Sequence, residues 1–148
     1  MKIAIGSDHA GYEYKEIIKK YLINKGYQII DKGTHSKDSV DYPIYGEAVG
    51  KTVSSGEADR GIVICGTGIG ISISANKIKG IRAALCTNEY MARMSRKHNN
   101  ANVLAFGARV LGIDVAIAIV EEFLKTEFEG GRHNIRVNII TKIENENL

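Results

Sequence analysis

Apolar positions along this chain follow two rhythms that take turns. Short apolar runs alternate with longer stretches in which apolar residues return every three or four positions. The runs Lys2–Ile5, Tyr27–Asp31, Gly61–Cys65, Arg82–Cys86 and Asn102–Phe106 read as strands. Helical spacing joins Tyr14, Ile17, Ile18, Tyr21 and Leu22, and Gly26 stops that helix. Pro43 suits the first turn of a second helix, which carries Ile44, Ala48 and Val49 on one face and ends near Gly56. A short helix starts around Gly70 and stops before Gly80. Thr87 is the expected N-cap of a helix holding Met91 and Met94. Gly112 opens a helix with Val115, Ile119, Val120, Phe123 and Leu124 apolar, and Gly130-Gly131 breaks the chain after it. A last amphipathic helix spaces Val137, Ile140 and Ile143 by three.

Five strands alternating with helices predict an α/β three-layer fold around a parallel sheet. No linker or low-complexity stretch interrupts the 148 residues, so residues 1–148 read as a single domain. The last helix has no strand after it. Its apolar face must pack on the same domain or on a second subunit. Ligands in such folds bind beyond the carboxyl ends of the strands. Asp8 and His9, Cys65 to Gly70, and Cys86 to Asn88 fall at those ends.

Composition narrows the function classes. Apolar content of 44% and charged content of 25% are ordinary for a globular chain. No apolar run is long enough to span a bilayer. Met1–Gly6 reads as a strand and not as the apolar core of a signal peptide. Two cysteines make no disulfide framework, which points to a reducing cytoplasm. A net charge of +3 fits a small anionic substrate but is too weak to argue for nucleic acid. The four histidines and two cysteines show none of the usual metal-pair spacings, so no metal is expected.

The chemistry concentrates at Cys65 and the loop Gly66-Thr67-Gly68-Ile69-Gly70 after it. A thiol at a strand end, beside backbone N–H groups that open a helix, faces partial positive charge. The loop is GxGxG. It is one residue short of a dinucleotide fingerprint, follows the third strand, and has no P-loop lysine. It serves equally as a tight turn, and Cys65 equally as a small buried hydrophobe. Cys86 precedes no such loop and reads as structural. Asp8 is either a helix N-cap or a site residue, and His9 faces a cleft. His98 and Asn99 sit in a polar turn before the fifth strand. Arg132 and Arg136 share one helix face, which suits a phosphate or plain solvent.

Taken in order, Gly6-Ser7-Asp8-His9-Ala10-Gly11, Asp41-Tyr42-Pro43, Cys65 to Gly70, His98-Asn99 and Arg132 with Arg136 resemble the type B ribose-5-phosphate isomerases. Their wider family includes the galactose-6-phosphate isomerase subunits. The resemblance covers essentially the whole chain. It implies a Rossmann-like α/β/α sandwich with a five-stranded parallel sheet. It implies a homodimer or tetramer with the site between subunits and the C-terminal helix on a partner, and no cofactor. It implies interconversion of ribose 5-phosphate and ribulose 5-phosphate through a cis-enediolate, in the non-oxidative pentose phosphate pathway. Cys65 is then the base and His98 opens the sugar ring, while Thr67 can relay or orient a proton. Asp8, His9, Gly66, Thr67, Gly68, Ile69, Gly70, Asn99, Arg109, Arg132 and Arg136 bind substrate. Two alternatives stay open: the same chemistry on allose 6-phosphate, galactose 6-phosphate or free aldoses, and a non-catalytic nucleotide-binding module.

Overall fold

The computed structural model describes residues 1–148. Strands β1 (Lys2–Ser7), β2 (Gln28–Asp31), β3 (Arg60–Cys65), β4 (Ala83–Leu85) and β5 (Val103–Gly107) form one sheet. All four neighbouring pairs are parallel, in the order β2-β1-β3-β5-β4. Helices α1 (Tyr12–Asn24), α2 (Tyr42–Ser54), α3 (Ile69–Ala75), α4 (Glu89–Asn99), α5 (Ile113–Lys125) and α6 (Arg132–Asn147) complete the chain. The expected Rossmann-like sandwich is the fold observed.

Strand alternation divides the core in two. Ile3, Ile5, Ile62, Ile64, Leu104 and Phe106 face Ile18 and Leu22 of α1, Ala92 of α4, and Ile119, Val120 and Phe123 of α5. Ala4, Val63, Cys65, Val103 and Ala105 face Val49 and Val53 of α2 and Ile71 and Ala75 of α3. Both faces are covered, which is why the strands read as continuous apolar runs. From β1 the chain goes to one side for β2 and returns to the other for β3. The strand order therefore reverses between β1 and β3, and a crevice opens above their carboxyl ends.

Several local expectations change. Cys86 lies just past β4, which is only three residues long. Asn88, not Thr87, caps α4: its side chain accepts from the Met91 amide. Ile44 is exposed, and the inner face of α2 is instead Gly46, Val49, Gly50 and Val53. A Cβ on Gly46 would lie 2.9 Å from the Ile71 carbonyl oxygen, so glycine lets α2 lie against α3. Apolar spacing cannot reveal a contact made by a missing side chain. On α5, Val115 is exposed. On α6 only His133 and Val137 are buried, while Ile140 and Ile143 face outward with Ile135 and Ile139. That outward face has no apolar cover within its own chain.

Candidate active site

The thiol edge lies at the carboxyl ends of β1, β3 and β5. Cys65 ends β3, with 5% of its surface exposed and its side chain on the α2–α3 face. The chain then turns through Gly68, whose φ of +82° puts it in the left-handed region. That turn sends the Gly68 amide back to Cys65 Sγ at 3.1 Å. A donor aimed at sulfur is worth most when the sulfur carries charge. Thr67 Oγ1 accepts from the Ile69 amide. The amides of Thr67, Gly70 and Ile71 find no acceptor in the chain. Their donors are free to meet an acceptor from outside the chain.

Two glycines make the loop possible. A Cβ on Gly68 would lie 2.6 Å from the Phe106 backbone, and one on Gly107 would lie 2.5 Å from Thr67. The two loops therefore pack backbone to backbone. The Ala108 amide donates to the Cys65 carbonyl and the Arg109 amide to that of Gly66, which brings Arg109 over the loop. Its Nη1 would sit 3.4 Å from a Cβ on Gly66.

The β1 loop closes the other wall. The Asp8 amide bonds to the Ile64 carbonyl, and Asp8 Oδ1 accepts from the Gly11 amide at 3.1 Å. Asp8 thus caps the turn ahead of α1; the N-cap itself is Gly11, with no side-chain bond. His9 Nδ1 accepts from the Val40 amide at 3.1 Å. The proton of neutral His9 therefore sits on Nε2. Asp8, Tyr42, Cys65, Gly66, Thr67, Ile69, Gly70 and Ile73 line an open cleft of about 450 Å³. Tyr42 covers Gly70, where a Cβ would meet its ring at 2.4 Å. Neither Tyr42 nor Ile73 was among the expected site residues, although Tyr42 stands in the Asp41-Tyr42-Pro43 motif.

The remaining expected residues lie at the other edge of the sheet. His98 and Asn99 are not in a loop; they form the last turn of α4, which leads into the amino end of β5. At 1.5 Å per residue, the 11 residues of α4 carry them about 16 Å from the carboxyl edge. Arg132 and Arg136 stand exposed on the first turns of α6. The Glu129 amide donates to the Lys97 carbonyl and seats this helix beside α4. The His98 and His133 rings stack at 4.3 Å, tilted by 13°. Burial, then the charge of His98, holds the His133 pKa below its ordinary value. Its Nε2 has no hydrogen-bond partner and lies 3.7 Å from Glu129.

His98, Glu129 and His133 bring three ligand-type atoms within 4.8 Å of one another. Stacked rings aim their nitrogens side by side and not at one point, so this trio does not converge as metal ligands must. Cys86 is 1% exposed, and burial pushes its thiol up to about 11. That is an inert environment, in keeping with a structural role.

One chain thus holds two groups of candidate residues at opposite edges of its sheet. Asp8, His9, Cys65 to Gly70 and Arg109 form one; His98, Asn99, Arg132 and Arg136 form the other. Comparison with known proteins brings both into one family. The family description "Ribose/Galactose Isomerase" matches residues 3–140. Ribose-5-phosphate isomerase B of Escherichia coli K12 is 52% identical over 97% of this chain and 96% of its own. A Clostridium thermocellum ribose-5-phosphate isomerase B structure superposes with a TM-score of 0.98 at 62% identity, covering 99% of each chain. A Mycoplasma genitalium ribose-5-phosphate isomerase B structure, with ribulose 5-phosphate bound, gives 0.93 at 41% identity over 98% of this chain and 97% of its own.

Proposed function

This chain belongs to the ribose/galactose isomerase family, and we propose that it interconverts D-ribose 5-phosphate and D-ribulose 5-phosphate through a cis-enediolate. One observation carries the catalytic assignment: a nearly buried thiol receives a backbone N–H at 3.1 Å, with further unpartnered amides beside it. Aldose–ketose isomerisation removes a proton next to a carbonyl, so it needs a base and donors for the developing oxyanion. Cys65 as thiolate takes the proton from C2 of the open-chain aldose. The C–H electron pair becomes the C1–C2 double bond, and the carbonyl pair moves to oxygen. The Thr67, Gly70 and Ile71 amides receive that oxygen; one such donor is typically worth about 3 kcal/mol. A proton then passes from O2 to O1 across the cis-enediolate, the O2 electron pair becomes the C2 carbonyl, and return of the carbon-bound proton to C1 gives the ketose. Thr67 Oγ1 holds the loop through Ile69 and keeps its own proton free for the cleft.

Ring opening and phosphate binding fall to the other edge. His98 is the acid–base group for the furanose, Asn99 a hydrogen-bonding neighbour, and Arg132 and Arg136 the phosphate anchor. No single chain brings these to Cys65, so each complete site takes its thiol edge from one copy and its cation edge from another. Two exposed apolar surfaces support this pairing: Tyr42, Ile44, Ile69 and Ile73 around the cleft, and Ile135, Ile139, Ile140 and Ile143 along α6. A two-fold assembly lays each against the other and completes two sites at once. The working form is then a homodimer or a dimer of dimers. No helix is long and apolar enough to cross a membrane, and cytoplasmic sugar-phosphate metabolism is the setting this reading implies. The same reaction on other aldose phosphates and the nucleotide-binding module are not favoured.

The test is solvent exchange in deuterated water. Incubation with ribulose 5-phosphate should place deuterium at C1 and yield ribose 5-phosphate. A panel of six-carbon aldose phosphates should turn over more slowly. Stabilisation by nucleotides without isomerisation would contradict the assignment.

A further inference from the structure

His98 and Asn99 stand where α4 ends, and helix ends fray unless their last carbonyls find donors. Asn100 follows in the left-handed conformation, with φ of 47°. Its amide, and that of Ala101, close back on the Arg96 and Ser95 carbonyls. The carbonyls of Asn99 and Asn100 are left over, and one side chain takes both. Arg82 Nε donates to the Asn99 oxygen at 3.0 Å and to that of Asn100 at 3.1 Å; Arg82 Nη2 donates to Asn100 again at 3.0 Å. A guanidinium also complements the negative end of the α4 dipole.

The segment carrying Arg82 is itself anchored. Asn102, at the mouth of β5, accepts from the Arg82 amide and donates to the Gly80 carbonyl, each at 2.8 Å. The Gly80 amide then donates to Glu144 Oε1 of α6 at 2.8 Å. So one short turn grips both helices of the cation edge: α4 through the Arg82 side chain and α6 through Glu144. Little else holds α6, which buries only His133 and Val137.

We propose that Arg82 is a positioning residue for His98 and Asn99, fixing the last turn of α4 so that the ring-opening group meets the sugar. Arg82 touches no substrate. Its fork fixes two consecutive carbonyls, and the residues just before them are thereby held in helix. The proposal rests on the reading of His98 as the ring-opening group, but its structural half does not.

The test compares Arg82→Gln, Arg82→Lys and His98→Asn with the unaltered enzyme. Net conversion of ribose 5-phosphate needs ring opening; deuterium exchange at C1 of ribulose 5-phosphate, an open-chain ketose, needs the thiol edge and the phosphate anchor but no ring-opening group. Arg82→Gln should lose on the order of ten-fold in kcat for ribose 5-phosphate, keep its KM within about three-fold, and keep C1 exchange within about three-fold. Arg82→Lys should recover part of the loss through one carbonyl. In NMR spectra, Arg82→Gln should move the His98 and Asn99 signals and leave those of Gly66–Gly70 in place. Equal loss of turnover and exchange in Arg82→Gln, beside a selective loss in His98→Asn, would overturn the proposal alone. A non-selective His98→Asn would instead overturn the role given to His98. Unmoved His98 and Asn99 signals in Arg82→Gln would overturn the positioning claim whatever His98 does.

Discussion

The two edges of the sheet are built in opposite ways. At the carboxyl edge, Cys65 is held among backbone hydrogen bonds and glycines so close that a single added carbon would collide. At the amino edge, Arg132 and Arg136 project from a helix that buries two of its sixteen residues. The difference follows the chemistry each edge performs. A base and oxyanion donors act on specific atoms and fail when misplaced by about 1 Å. A charge that holds a phosphate at the far end of the substrate tolerates more slack. The rigid edge is built within the chain, and on the proposed two-copy site the looser one would gain its order from a partner.

Breaking the rigid edge should have the largest effect. Cys65→Ala should lower kcat by about 10³-fold or more, the scale of a lost general base, while substrate still binds. Turnover and calorimetric affinity together check this, and near-normal turnover would remove Cys65 from the mechanism. Cys86→Ala should keep most activity. Alkylation near neutral pH should label Cys65 and spare Cys86, whose thiol is pushed up to about 11; mass spectrometry with and without substrate decides between the two.

The foundation beneath that edge comes next. Lys15 is wholly buried and its amine meets Asp31 at 2.7 Å. Burial would raise the Asp31 pKa, but hydrogen bonds from Lys15, Lys19 and the Gly33 amide outweigh it and hold the group below its ordinary value. Asp31→Asn leaves the buried Lys15 ammonium with only the longer, part-exposed contact to Glu16 at 3.3 Å and should cost about 3 kcal/mol of stability. A depressed carboxylate stabilises above its unfolded pKa and loses that contribution as pH falls through its folded pKa. The variant should therefore flatten the acid limb of a denaturant-stability curve. An unchanged limb would assign acid sensitivity elsewhere.

How much of this was legible in the sequence depends on what carries the signal. Strands buried on both faces announce themselves as apolar runs, and all five were legible to within two residues at either end. The turn after Cys65 was legible because closely spaced glycines at a strand end mark a tight strand-to-helix connection. The inner face of α2 was hidden, since Gly46 and Gly50 pack by lacking side chains. The burial of Lys15 gave no sequence signal because its partner Asp31 lies 16 residues away on another element. The separation of His98 from Cys65 was hidden too. A motif order gives a list of residues, whereas only the sheet direction tells which edge each one reaches.

Smaller effects should come from the loose edge. Arg132→Ala or Arg136→Ala should each remove about 2–3 kcal/mol of charge-assisted binding, raising KM for the phosphorylated sugar by tens of fold. Weak activity on a free aldose should hardly change, and light scattering must show the assembly intact. Smaller still is the pH response of His133. Its pKa is depressed on folding, so protonation favours the unfolded form and α6 should loosen as pH falls below about 6.5. Hydrogen exchange along α6 at pH 7.5 and 5.5 reports this; His133→Gln should abolish the difference.

The division of one site between two copies is tested most directly by mixing two dead enzymes. One variant carries Cys65→Ala; the other carries Arg132→Ala with Arg136→Ala. After unfolding and refolding together in equal amounts, half of the dimers should be mixed. Each mixed dimer holds one intact site and one doubly broken site, so activity should recover to about one quarter of the unaltered enzyme. If mixing restores nothing while mixed dimers are shown to form, the thiol and the arginines serve the same chain, and the account is wrong.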